Sequence, residues 1–271
     1  MTTLRRLTVL VLVVFAGFPL YWMLVTALSG DRELFRKPPR AVPDPGQAGN
    51  LGEAVSGGVP LDRWLLNSTV IAAGTTVLSL AMAVLAAYAI SRFRFRGRGL
   101  AGLAMFVTQM LPEALLVVPL YTLFLGFGLL NSLTGLVLAN TAFAMPVAVW
   151  IIKGAMDAVP HELEEAARVD GCPKYAILGQ VVLPLVAPSV AAAGIITFFT
   201  AWNEYLFAVK FLTDESKWPA SVGLASFIGE FVTPLNLVMS AALVFSVPAV
   251  AFFLLVQRRI VGGLTAGAVK G

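Results

Sequence analysis

The sequence predicts an all-α polytopic membrane protein with six transmembrane helices, both termini cytoplasmic, and one further helix outside the bilayer between spans four and five. Three observations lead there. Of the 271 residues, 58% are hydrophobic and only 13% charged, against roughly 45–50% and 25% in ordinary soluble domains. The mean hydropathy is +0.86, and a water-soluble globule of this size has no interior large enough for so much apolar surface. Uncharged apolar stretches also recur at the length of a bilayer core, roughly 20 residues. Finally, the lysines and arginines gather in alternate loops, which sets orientation.

The first stretch covers residues 7–29 and follows Arg5 and Arg6. Secretory signals have apolar cores of only about 7–15 residues, so an uncleaved first span is expected. Five more follow at about 68–90, 100–125, 133–152, 185–209 and 237–256. Glu113 and Glu204 are the only charges inside them, and Pro112, Pro119 and Pro146 are expected to break spans three and four. Neighbouring helices re-satisfy backbone groups freed by such breaks.

Twelve of the 19 basic residues fall on one side: Arg5, Arg6, Arg92, Arg94, Arg96, Arg98, Lys153, Arg168, Lys174, Arg258, Arg259 and Lys270. That side is cytoplasmic by the positive-inside rule. Arg92–Arg98 read as an orientation signal and a contact for lipid headgroups. The net charge of +4 and pI near 9.4 are thereby explained without nucleic acid. Residues 30–67, rich in Pro and Gly, read as an extended outer connection with little helix, and residues 210–236 also hold turn formers. One histidine (His161) and one cysteine (Cys172) exclude a disulfide framework and a His/Cys metal cluster. No activating base accompanies Cys172, so it is no nucleophile.

The loop at residues 157–184 carries the most information. Pro160 suits a first helical position, and Glu162, Glu164 and Glu165 suit the positive end of a helix dipole. Gly171 is a natural stop about three turns on. A second short helix is expected from near Pro173 to just before Leu183-Pro184. In any chain such a helix is also readable as an amphipathic segment resting on headgroups, but here the order of residues is specific. Glu165-Ala166-Ala167, then Asp170-Gly171, then Val182-Leu183-Pro184 resembles the "EAA" signature of ABC importer permeases. The family commonly has Ala after the Gly, where this chain has Cys172.

Two more segments carry the resemblance. Ala201-Trp202-Asn203-Glu204-Tyr205 is similar to the Ala-Trp-Asn-Glu-aromatic run of carbohydrate permeases. Residues 257–271 resemble the end of the maltose-type second permease subunit. The resemblance implies a single transmembrane permease domain over residues 1–271, with 157–184 as a cytoplasmic coupling loop and 257–271 as a cytoplasmic tail. It implies a bacterial-type cytoplasmic membrane, a heterodimer with a second permease, two ATP-binding subunits and an extracytoplasmic binding protein that delivers a carbohydrate, a di- or oligosaccharide. ATP and Mg would sit on the ATPase subunits; this chain, which lacks a G-x-x-x-x-G-K-S/T phosphate loop, binds no cofactor and is no enzyme. Glu165, Ala166, Ala167, Asp170, Gly171, Leu183 and Pro184 would couple it to the ATPases. Thr265, Ala266, Gly267 and Lys270 would enter the ATPase interface.

A charge at the centre of a membrane helix costs roughly 2.5–3.5 kcal/mol, so Glu113 and Glu204 should face protein or water. For Trp202, Asn203, Glu204 and Tyr205 two readings stay open. In one, aromatic faces and polar groups meet a sugar; in the other, Asn203 and Glu204 hydrogen-bond to neighbouring helices. Gln109, Pro112 and Glu113 likewise either line a cavity or pack. Asn67 and Asn140 are expected to bond between helices. The rival class is an ion-coupled secondary transporter acting alone, with Glu113 and Glu204 as its coupling acids. An intramembrane hydrolase lacks any Ser/His/Asp or metal constellation.

Overall fold

A computed structural model describes residues 2–56, 59–229 and 233–267, with side chains for all of these except Thr2, Asp31, Ser56 and residues 258–267. Every regular element among the described residues is helical. In hydrocarbon no water is available to unpaired N–H and C=O groups, so a spanning segment must pair them within itself. The elements are α1 Thr2–Ala27, α2 Asp31–Leu34, α3 Gly49–Ser56, α4 Leu61–Arg92, α5 Arg98–Thr108, α6 Glu113–Gly126 and α7 Leu133–Asp157. They continue with α8 His161–Val169, α9 Lys174–Ala176, a π-helical segment Ile177–Val182, α10 Leu183–Trp202, α11 Leu206–Phe211, α12 Ala220–Ser226 and α13 Leu235–Gly267. Two 3-10 turns, Pro45–Gln47 and Glu215–Lys217, complete the list.

Among the described residues five helices are long and apolar enough to cross a membrane, and a sixth span results if α5 and α6 count as one. That pair is bent by 104°. The expected third span is therefore a broken one, and its break lies at Gln109–Pro112. Pro112 lacks an amide hydrogen and forces the residue before it towards extended backbone. Pro119 and Pro146, expected to break their spans as well, lie inside the unbroken α6 and α7.

Three further expectations are corrected. The Pro/Gly-rich outer segment forms α2, a 3-10 turn and α3, and α4 begins at Leu61. Its turns are pinned by side chains: Arg40 pairs with Glu33 and Asp44 at 3.0 Å each, and Asn50 donates to the carbonyls of Ala27 and Ser29. The short helix after Pro173 does not stop before Leu183-Pro184. It runs through the π-helical segment into α10, making one continuous apolar helix, Lys174–Trp202. The fifth span ends at Trp202, not near residue 209, and a separate α11 follows.

Helices α4, α7 and α10 form the centre of the bundle, with α13 against α10. One end is closed by Tyr88, Ile152, Met156, Val159, Ile177 and Val182, the other by Ile71, Phe124, Leu136, Phe207, Phe211 and Val222. At this second end, Asn131 takes the left-handed conformation (φ 52°) that Asn tolerates better than most residues. It donates to the Phe211 carbonyl and accepts from the Asp214 amide and, through its own carbonyl, from Lys217. Also here, Trp64 is buried and lies over Gly223, where a Cβ would stand 2.0 Å from the ring. Gly223→Ala should therefore displace the indole and lower stability by about 1–3 kcal/mol, measured as thermal unfolding of the detergent-solubilised protein; an unchanged transition would mean the ring moves freely.

Candidate functional site

Two regions hold the sequence-predicted residues, one at each end of the central bundle. The first is α8. Pro160 stands just before the helix, one position earlier than expected, and His161 begins it. Glu162, Glu165, Ala166 and Val169 recur at helical spacing and are all exposed, while Glu164 and Ala167 turn inward. The helix ends in a paired turn: the Cys172 amide donates to the Ala167 carbonyl at 3.0 Å, and the Gly171 amide to that of Arg168 at 3.1 Å. This is the Schellman arrangement, which needs a left-handed residue after the last turn. Gly171 supplies it at φ 83°, with open space around it, so backbone conformation and not crowding requires glycine there.

Glu165, Ala166, Asp170 and Gly171 are all exposed on α8 and its terminal turn, whereas Ala167, expected to face a partner with them, packs against the core instead. The exposed surface includes apolar side chains of α8 itself: Leu163 is 44% exposed and Val169 88%. Large apolar side chains grouped outside a membrane helix mark a contact surface. Leu183 and Pro184 are not on it; they open α10 beyond the π-helical segment.

The inward face carries the main correction. Glu164, read as a helix-dipole residue, is buried and forms an ion pair with Arg92 of α4, read as an orientation and headgroup arginine. The two side chains are 4% and 5% exposed. Tyr88 donates its hydroxyl to the second carboxylate oxygen at 3.1 Å, and Arg92 also donates to the Val159 carbonyl at 3.0 Å. Alongside, Ser91 and Lys153 donate to Asp157 at 2.6 and 2.5 Å. Arg94, Arg96 and Arg98 are exposed.

The second region is a cavity of about 300 Å³ lined by Glu113, Asn140, Phe143, Thr200, Asn203, Glu204, Tyr205, Leu206 and Phe207. The structure brings Glu113 from the broken third span together with Asn203, Glu204 and Tyr205 from the break after α10. Glu204 accepts from the Phe207 amide at 2.6 Å and the Ala208 amide at 3.1 Å, so it caps α11. Its own carbonyl accepts from the Ser221 hydroxyl at 2.6 Å. Asn203 donates to the Phe199 carbonyl one turn back. Neither residue ties one spanning helix to another by its side chain, as one of the two open readings had it; both finish the broken helix locally while lining the cavity.

Trp202 does not reach the cavity. It is 2% exposed and stacks on Phe198 and Phe245, with centroids at 5.6 and 5.0 Å. Tyr205 is the exposed aromatic. Gln109, at the other break, donates to the Phe143 carbonyl at 3.0 Å. Asn140, expected to bond between helices, lines the cavity with its amide nitrogen unpaired. Asn67 does bond between segments, to the carbonyls of Ser216 and Trp218. Of the predicted tail residues, Thr265, Ala266 and Gly267 lie on the α13 backbone with side chains outside the described residues, and Lys270 lies outside the described residues altogether. No group of three metal-ligating residues occurs among the described residues.

Comparison with known proteins adds the following. A family profile described as "Binding-protein-dependent transport system inner membrane component" matches residues 75–264. The sulfoquinovosyl glycerol transport system permease protein SmoH of Agrobacterium fabrum is 36% identical over 268 residues, covering 99% of this chain and 94% of that one. The trehalose/maltose transport system permease protein MalG of Thermococcus litoralis is 33% identical over 256 residues, covering 94% and 91%. A crystal structure of a bacterial ABC transporter involved in the import of the acidic polysaccharide alginate contains a chain of the same fold, with a TM-score of 0.80, 20% identity and 95% of each chain covered.

The cap at the break generates a prediction. Glu204→Ala removes both acceptors for the α11 amides, a loss of the order of 1 kcal/mol for a helix start. Hydrogen exchange at Phe207 and Ala208 should accelerate by about tenfold or less, while Glu204→Gln should hold one of the two bonds.

Proposed function

The chain belongs to the family of binding-protein-dependent transport system inner membrane components, and from that premise we propose that it is one of two permease subunits of an ATP-driven carbohydrate importer. The observation that carries the mechanism is the exposed face of α8, formed by Glu165, Ala166, Val169 and Gly171. It is a short, rigidly terminated helix outside the bundle, with apolar side chains open to a partner. In this reading α8 is the coupling helix and docks into a cleft of an ATPase subunit. Glu165 offers a charged hydrogen bond at that surface, Gly171 the turn that ends it, and Leu183-Pro184 the entry to α10.

The end of the bundle that carries α8 faces the cytoplasm. The basic residues Arg92, Arg94, Arg96, Arg98, Lys153, Arg168 and Lys174 gather there, which supports this orientation by the positive-inside rule. Both termini lie on that side, and the last residues, Thr265 to Lys270, reach the interface between the two ATPase subunits. Those subunits hold ATP and Mg and do the hydrolysis; this chain binds no cofactor and catalyses nothing. An extracytoplasmic binding protein delivers solute to the opposite face.

A carbohydrate as solute is supported by the transport systems that the relatives are named for, trehalose/maltose and sulfoquinovosyl glycerol. The cavity suits such a solute. Glu113, Asn203 and Tyr205 offer a carboxylate, an amide and an aromatic face, where sugars present hydroxyls and apolar ring faces. It lies where two spanning helices are interrupted, the place at which membrane transporters admit irregular backbone. An ion-coupled transporter acting alone would use Glu113 and Glu204 as its coupling acids. The family membership and the engagement of both Glu204 oxygens by α11 amides weigh against it.

Three outcomes test this reading. Cysteines placed along the exposed face of α8 should crosslink to an ATPase subunit in inverted membranes, and the absence of any such product would exclude the coupling role. Gly171→Val places a β-branched side chain at φ 83°, a strain of about 1–3 kcal/mol; uptake should be abolished while the protein remains in the membrane. Deletion of residues 265–271 should weaken the response of ATP hydrolysis to the binding protein, and an unaltered response would remove the tail from the mechanism.

A further inference from the structure

Helix α8 is joined through the backbone to α7 on one side and to α9, the π-helical segment and α10 on the other. It has no such connection to α4, whose Arg92 is 72 positions from Glu164. The buried pair of Arg92 and Glu164, with Tyr88 on the second carboxylate oxygen, therefore ties α8 to α4 laterally. The apolar packing in the same region, the cluster that holds Ala87, Met156 and Ile177, is non-directional and permits sliding. A buried ion pair does not, because separation leaves an uncompensated charge out of water.

The far end of α4 is tied just as specifically. Trp64 donates to the Glu215 carbonyl at 3.2 Å, and Asn67 to the carbonyls of Ser216 and Trp218 at 3.0 and 2.9 Å. Ser68 accepts from the Ala220 amide at 2.8 Å. The next residue, Ser221, donates to the Glu204 carbonyl at the cavity. The whole of α4, with one attachment near each end, is 32 residues long, or about 48 Å at the ordinary rise of an α-helix. Of the five helices long enough to cross the membrane, α4 alone contains no proline. Proline is the commonest cause of a sharp kink, and α4 has none between its two attachments.

We propose that α4 is a push-rod, gripped by Glu164 through Arg92 and Tyr88 at one end and bonded through Trp64, Asn67 and Ser68 to residues 215–221 at the other, which carries movement of α8 to the wall of the cavity at Glu204. Glu164 and Arg92 are positioning residues in this scheme, touching neither solute nor nucleotide. The proposal rests on the reading of α8 as a coupling helix.

The test uses the complete transporter in liposomes, with ATP and vanadate as the trapping reagent, so that no solute need be known. Single cysteine labels are placed at Leu163 on α8 and at Thr213 near the outer attachment, both exposed, in a Cys172→Ser background. In the otherwise native chain both labels should shift on trapping. In Glu164→Gln and in Asn67→Ala, at opposite ends of the rod, the Leu163 response should persist while the Thr213 response falls by about tenfold. The exchanged pair Arg92→Glu with Glu164→Arg should restore it. The ratio of the two responses separates transmission from folding, since poorly folded protein would lose both together. A native-sized Thr213 response in both variants overturns the push-rod. Silence of the Leu163 label in the native chain overturns the coupling reading of α8 and the push-rod with it.

Discussion

A carboxylate and a guanidinium, both withdrawn from solvent, join the helix that lies outside the bundle to the bundle itself. Removing charged groups from water is costly, and the cost is recovered only when each finds its partner in good geometry. At Glu164 the recovery is thorough: Arg92 occupies one carboxylate oxygen and Tyr88 the other, and Arg92 directs a further donor to the Val159 carbonyl. Removing one member of such a pair typically costs about 3–5 kcal/mol, so the position of α8 on α4 is narrowly set. The outward residues of α8 inherit that setting. With Glu164 and Ala167 fixed inward, the helical period leaves Glu165, Ala166 and Val169 facing out.

The same accounting for polar groups shapes the cavity at the other end. Ending α10 at Trp202 inside the protein leaves amides at the start of α11 without partners. Glu204 supplies two acceptors to Phe207 and Ala208, and Ser221 closes on the Glu204 carbonyl. The break is thereby capped, and the gap beside the break at Gln109–Pro112 carries Glu113, Asn140, Thr200 and Asn203 in a wall shared with Phe143, Leu206 and Phe207. An unbroken pair of apolar helices would have packed this volume shut. The acid that caps α11 and the cavity beside it belong to one local arrangement.

Much of this was legible from the order of residues. The apolar stretches located the long helices to within several residues at most ends, because bilayer thickness sets their length. The stop at Gly171 was legible because few other residues accept φ 83° readily. The break near Pro112 followed from a proline beside an acid in an apolar run. Other features were not legible. Pro119 and Pro146 look like Pro112 in sequence, yet they stay within unbroken helices, since only the surrounding packing decides whether a missing hydrogen bond bends a helix. Trp202 and Tyr205 look alike as aromatic neighbours of Glu204, but one is stacked in the core and the other exposed.

The sequence by itself determined that this chain lives in a membrane, how many apolar stretches it offers, which loops carry positive charge, and which family it resembles. All of these depend on composition or on residues close together along the chain. Tertiary structure alone decided that Arg92 meets Glu164 and not a lipid headgroup, that Asn67 bonds to the carbonyls of Ser216 and Trp218, and that Glu113 faces the cavity beside Glu204. Each of these joins positions far apart in the chain, and one charged side chain carries no local mark of which distant partner will desolvate it.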